Sequence, residues 1–213
     1  MLIVINIFCS KIIGARYYRS MYEDDFIKNN NISPRDTNGH GTHTSSIAAG
    51  NLVSMASMLG LGQGTTRGGA SSARISVYKV CWYDACKEVD ILAAFDDAIA
   101  DGVDIISISI GGKGDNSKYF RDVLSIGAFH AMQNGILTVL PTGNSGPQRS
   151  SLTNFSPWAI VVGASTIDRK FITKVQLGDN KIYEVNPFFY SMLEKLLFHL
   201  LLLKKKSHNR LIS

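Results

Sequence analysis

Two histidines, His40 and His43, stand among glycines and small hydroxyl residues in PRDTNGHGTHTSSIAAG, residues 34–50. Imidazole titrates near neutral pH, which suits it to proton transfer. Gly39 and Gly41 flank His40. Glycine on both sides permits close approach by backbone or substrate, and this favours a base in a cleft over a buried structural histidine. His43 lies three residues on, on nearly the same face of a helix, and reads as a structural residue that packs or hydrogen-bonds within the helix. Asp36, His40 and His43 also invite a metal reading. They lack the HExxH pattern and a secure third ligand, so the expectation is no metal. A second candidate is Asn144 in PTGNSGP, residues 141–147. An Asn amide can donate to a developing oxyanion; in isolation the same residue reads as a turn former.

The elements that must hold these residues alternate in type. Residues 41–54 suit a helix opening from a glycine-rich turn, and residues 55–72 read as a connection. ARISVYKV, residues 73–80, is a strand by its alternation and β-branching. Residues 88–101 form a helix with Ile91, Leu92, Phe95 and Ile99 as the apolar stripe, stopped at Gly102. VDIISISI, residues 103–110, is apolar throughout, as expected of a parallel strand covered on both faces. A helix over 119–134 ends at Gly135. Strands follow at 136–140 and 159–165. Strand and helix in turn, with short connections, predict a doubly wound α/β sheet with helices on both faces. In such sheets the loops after the strands open at the carboxyl edge, where ligands bind. Those loops include the segment after Ile110 and PTGNSGP.

Charge excludes one class of partner. Residues 1–180 carry sixteen Lys/Arg against fifteen Asp/Glu, and residues 181–213 carry six against two. The basic surplus is a property of the tail around Lys204, Lys205 and Lys206, so no nucleic-acid surface is expected on the main body. MLIVINIF at the start and LLFHLLLL at residues 196–203 are both shorter than a membrane span, although the second would suit an interfacial helix. Cys81 and Cys86 flank WYDA; a small-loop disulfide and two free thiols beside a strand end are both open readings. Neither GxGxxG nor GxxxxGK[ST] occurs in a nucleotide-binding context, which weakens a nucleotide-binding reading.

Together the segments KIIGARYY, PRDTNGHGTHTSSIAAGN, GLGQGTTRGGASSARISVYKVCW, DILAAFDDAIADGVDIISISIGG, GAFHAMQNGI, TGNSGP and AIVVGASTIDRKF resemble the subtilisin-like serine peptidases (peptidase S8), in order, and most closely the subtilases common in plants. The resemblance covers roughly residues 10–185. It implies a three-layer, doubly wound, mostly parallel α/β sheet, here incomplete at both ends, with residues 10–180 as a partial peptidase domain and residues 1–9 and 186–213 as atypical terminal segments. It implies hydrolysis of peptide bonds by an Asp, a His and a Ser, without cofactor or metal, on peptide or protein substrates. It assigns His40 as the catalytic base, His43 as the noncatalytic histidine of HGTH, and Asn144 as the oxyanion donor. Ser109, Ile110 and Gly111 match the strand edge that binds substrate backbone, and Gly143 matches part of the opposite pocket wall. Pro141 and Thr142 replace an alanine- or serine-rich segment there, so an altered pocket is expected. A complete parent is expected to be secreted, in the cell wall or vacuolar.

The chain also departs from that pattern. The family's acid lies in a DTG segment upstream of the His, and its nucleophile in GTSMA- or GTSMS-like sequence at a helix start. Neither DTG nor GTS occurs. Asp24, Asp25 and Asp36 do not match the acid, and Ser145, Ser150, Ser151 and Ser156 lack the nucleophile's context. The expectation is a partial sequence that does not cut peptides on its own; the alternative is a noncatalytic peptide- or protein-binding fragment. Without later elements, the apolar surface around the fourth strand is expected to lack cover and the sheet to have an exposed edge, which predicts poor solubility or partial disorder.

Overall fold

Alternation along one strand divides the molecule into layers. In the computed structural model, which describes residues 2–7, 11–20, 32–82, 85–111, 119–166 and 172–185, the strand Ala73–Lys79 turns Ala73, Ile75 and Val77 to one side. There they pack with Ala48 and Ala49. Tyr78 and Val80 join the larger core, with Ile91, Phe95, Ile106, Ile108 and Leu140. Side chains of successive strand residues face opposite ways, so one helix covers one face of the sheet and two helices cover the other.

In chain order the elements are β1 (Leu2–Ile7), β2 (Ile12–Tyr17), α1 (His40–Ala49), β3 (Val53–Met58), β4 (Leu61–Thr66), β5 (Ala73–Lys79), β6 (Cys81–Trp82), β7 (Ala85–Cys86), α2 (Glu88–Ala100), β8 (Ile105–Ile108), α3 (Val123–Gln133), β9 (Leu137–Pro141) and β10 (Ile160–Val162). The main sheet has the order β10-β9-β8-β1-β5-β2. Pairs β2·β5, β8·β9 and β9·β10 are parallel. This is a mostly parallel α/β sheet with helices on both faces. Its exception is β1, which runs antiparallel to both neighbours, with Leu2 opposite Tyr78 and Ile108.

Helix α2 follows the periodicity in the sequence. Ile91 and Phe95 are buried, and Leu92 and Ile99 lie at the core margin. Gly102 takes φ +67° just past its end, a conformation that costs glycine little. The helix α3 starts later than its apolar pattern implies, because the Asp122 carboxylate caps it by accepting from the Ser125 amide and hydroxyl. A Cβ on Gly127 of α3 would overlap the Phe95 ring of α2, so the absent side chain lets the two helices meet.

The connection expected over 55–72 instead contains the hairpin β3–β4. Most of β3 faces solvent, including Met55 and Met58. With neither face buried there is no apolar alternation to read. At the other end, Ile160 and Val162 of the edge strand β10 are 49% and 52% exposed.

Residues from Thr166 onward form a separate unit. Its described part is an antiparallel hairpin of β11 (Thr173–Gln176) and β12 (Ile182–Val185). LLFHLLLL and the lysine run lie outside the described residues. Among the described residues, no helix is long and apolar enough to cross a membrane.

Candidate active site

The position of His40 is set by a carboxylate that the sequence reading did not credit with this role. His40 is the first residue of α1, after Gly39 at φ +94°, and no side chain caps the helix from position 39. Asp36 does so from three residues upstream. One carboxylate oxygen accepts the Asn38 and Gly39 amides, each at 2.9 Å, and the other accepts the Thr42 amide and hydroxyl, each at 2.7 Å. A helix N-terminus leaves its first amides without intrahelical partners and favours negative charge. Burial alone would raise the Asp36 pKa; the hydrogen bonds from Thr42, Gly39 and Asn38 outweigh it and hold the carboxyl well below its usual range. The signal was present in the sequence as an Asp ahead of a glycine turn and a helix.

The hydroxyls of α1 bond inward to its own backbone. Ser45 donates to the Gly41 carbonyl and Ser46 to the Thr42 carbonyl, both at 2.7 Å. Its last carbonyls are met by the segment entering β5: the Gly68, Gly69 and Ala70 amides donate to Gly50, Ile47 and Ala48, each at 2.9 Å. A Cβ on Gly68 would overlap the backbone of Ala49 and Gly50. His43 lies exposed on α1, which corrects the packing half of the expectation that it packs or hydrogen-bonds within the helix. Among the described residues no cluster could hold a metal ion, and Asp36 is engaged by the helix terminus.

Strand order brings the next residues to His40. Strands β5 and β8 point the same way, since both run antiparallel to β1. Their carboxyl ends therefore share one sheet edge. There a cleft of about 300 Å³ is lined by Asp36, His40, Lys79, Cys81, Cys86 and Ser109–Gly111, among others. Lys79 is buried beneath it. Its ammonium donates to the Arg35 carbonyl at 2.8 Å and the Ser33 carbonyl at 3.3 Å, and lies 4.1 Å from the Trp82 ring centre. Desolvation lowers its pKa, against the opposing pull of Asp36. Cys81 and Cys86 form a disulfide across the β6–β7 hairpin, which resolves the two readings of these cysteines.

Gly143 and Asn144 follow β9, the parallel neighbour of β8, and so emerge at the same edge. Asn144 is exposed and does not line the cleft that holds His40. The structure thus gathers His40 with Ser109–Gly111, and leaves Gly143 and Asn144 one strand further along. Between β5 and β8 that edge holds the beginning of β1, whose sequence LIVINI contains no carboxylate.

The subtilase family model, Peptidase_S8, matches residues 10–191. Over 170 residues the chain is 51% identical to "Subtilisin-like protease SBT4.15" of Arabidopsis thaliana, covering 80% of this chain and 22% of that protein. Over 187 residues it is 48% identical to "Subtilisin-like serine-protease S" of Lotus japonicus, covering 83% of this chain and 24% of that protein. Among solved structures, a psychrophilic protease aligns with a TM-score of 0.48 and 24% identity, over 74% of this chain and 47% of the other. The chain belongs to the subtilase family of subtilisin-like proteases. It spans about a quarter of the length of the curated relatives it matches.

Proposed function

We propose that this chain supplies the base-bearing and substrate-strand portion of a serine endopeptidase site. The observation that carries the reading is the shared cleft of His40 and Ser109–Gly111 at the carboxyl edge of the sheet. In this reading His40, on an anchored helix start, accepts the proton of an attacking serine hydroxyl. Ser109–Gly111 bind the substrate backbone as an added strand, Gly143 lines the facing wall, and Asn144 donates to the oxyanion of the tetrahedral intermediate. For subtilisin itself, loss of the corresponding donor costs about 3 kcal/mol of transition-state stabilisation.

A proton acceptor does not make an acyl-enzyme without a nucleophile. No GTS segment is present to provide the serine, and no DTG segment to orient the imidazole. The chain of 213 residues therefore has no peptidase turnover of its own, and residues 10–180 act as part of a larger catalytic domain. The purified chain should remain unlabelled by a serine-directed fluorophosphonate and leave a broad peptide pool intact. Labelling that is lost in His40→Ala would refute the inactivity and identify an unrecognised nucleophile. Saturable peptide binding without labelling would support the noncatalytic reading of the same cleft.

A further inference from the structure

Asn154 is buried, 9% exposed, and holds φ +58°. This left-handed conformation is uncommon outside glycine but less so for Asn. Its amide nitrogen donates to the Ile110 carbonyl at 2.8 Å and to the Pro141 carbonyl at 3.0 Å. An amide has two N–H groups, and here each meets a different loop. Thr153 engages the second loop again: its backbone amide donates to the Thr142 carbonyl at 2.9 Å and its hydroxyl to the same carbonyl at 3.2 Å. Three carbonyls, from the exits of β8 and β9, are thus held by two adjacent residues.

The glycines of both loops fit this arrangement. A Cβ on Gly111 would lie 3.3 Å from the Thr153 hydroxyl oxygen, and one on Gly143 would lie 2.9 Å from it. Thr153 is therefore wedged between the two loops while Asn154 ties them. Parallel pairing of β8 and β9 has its last partner pair at Ser107 and Val139. Beyond that point the sheet ladder no longer fixes the spacing of the chains.

We propose that Thr153 and Asn154 form a clip that sets the separation between the Ser109–Gly111 edge and the Pro141–Gly143 turn, and through it the size of substrate side chain accepted between them. The second part rests on the peptidase-site reading above; the clip itself does not. Asn154 and Thr153 are positioning residues, acting through the loops they hold.

The test uses the full chain with Asn154→Asp, which keeps the shape and removes both donors, and Thr153→Val, which removes only the hydroxyl. Amide hydrogen exchange is read at Thr153, whose amide donates to the Thr142 carbonyl, with Phe95 in α2 as the folding control. About tenfold faster exchange at Thr153 in Asn154→Asp is expected, with Phe95 unchanged and Thr153→Val intermediate. Unchanged exchange at Thr153 overturns the clip. Binding of a peptide series differing in one side chain, from alanine to phenylalanine, is measured in parallel. A change of about fivefold or more in the ratio of affinities supports control of size selection. Equal loss across the series overturns that role. If the unsubstituted chain binds no peptide, the groove reading falls, while exchange still decides the clip.

Discussion

Thr42 gives Asp36 both its backbone amide and its hydroxyl, each at 2.7 Å. This pair, two residues beyond His40, ties the first turn of α1 to the loop that precedes it. Asp36→Ala should therefore destabilise the chain by about 1 kcal/mol, the usual cost of losing a helix cap. Chemical denaturation of both proteins at neutral pH checks the value, and equal midpoints would show that the contact contributes nothing.

The same carboxylate has a pH signature. Its folded-state pKa lies below its ordinary value because its hydrogen bonds outweigh the effect of burial. The unfolded chain thus takes up the proton first as pH falls. The stabilisation is present above about pH 4 and is lost as pH drops toward the folded-state pKa. Denaturation midpoints of the chain and of Asp36→Asn should converge on acidification. A difference that widens below pH 4 would reverse the assigned sign.

Two tyrosines, Tyr78 in β5 and Tyr18 just past β2, connect the sheet side to the C-terminal end of α2 through acidic partners. Tyr78, 2% exposed, donates to Asp101 at 2.6 Å, and Tyr18 donates to Asp97 at 2.7 Å. Arg16 reaches both carboxylates, Asp97 at 2.9 Å and Asp101 at 2.8 Å, from an exposed position. Burial, followed by the hydrogen bond to Asp101, pushes the Tyr78 phenol well above its ordinary pKa. Tyr78→Phe should cost about 1 kcal/mol by removing a partly buried, charge-assisted hydrogen bond. Arg16→Ala should change stability little, because solvent and salt screen an exposed pair. Unfolding curves of the two variants decide the order; a larger loss for Arg16→Ala would contradict it.

Helix packing makes a sharper forecast. Gly127→Ala places a methyl group against the Phe95 ring, which is fully buried. Overpacking of this kind costs about 1–3 kcal/mol. Gly64→Ala in the β3–β4 hairpin, where a Cβ meets nothing within 4 Å, should lie near zero in the same melt.

The Cys81–Cys86 disulfide closes a loop of sequence separation 5. Its loss in Cys81→Ala with Cys86→Ala should lower stability by about 2 kcal/mol in the chain-entropy account. Because both cysteines line the His40 cleft, heteronuclear NMR should show shifts at Ser109 and Ile110 as well as the stability change. Shifts confined to β6 and β7 would separate the disulfide from the cleft.

The repeating strand–helix order, the core stripe of α2 and the relation of His40 to a helix start are legible along the chain. These follow from local periodicity, glycine placement and the distinctive HGTH segment. They are near-neighbour properties, so a linear reading reaches them. It also placed Ser109 and Ile110 at the end of one strand, and Gly111 and Asn144 after strands, and hence all at one sheet edge.

Which residues meet at that edge is settled by how the strands assemble. The sequence does not reveal that LIVINI enters between β5 and β8 in the antiparallel sense, since an apolar strand pattern carries no direction. Nor does it reveal that Asn154 satisfies carbonyls 44 and 13 residues away, because hydrogen-bond partners at that separation are chosen by folding. The neighbours of His40 in the chain mark it as a candidate proton acceptor. Its cleft, with Ser109–Gly111 opposite, exists because β5 and β8 end at the same edge.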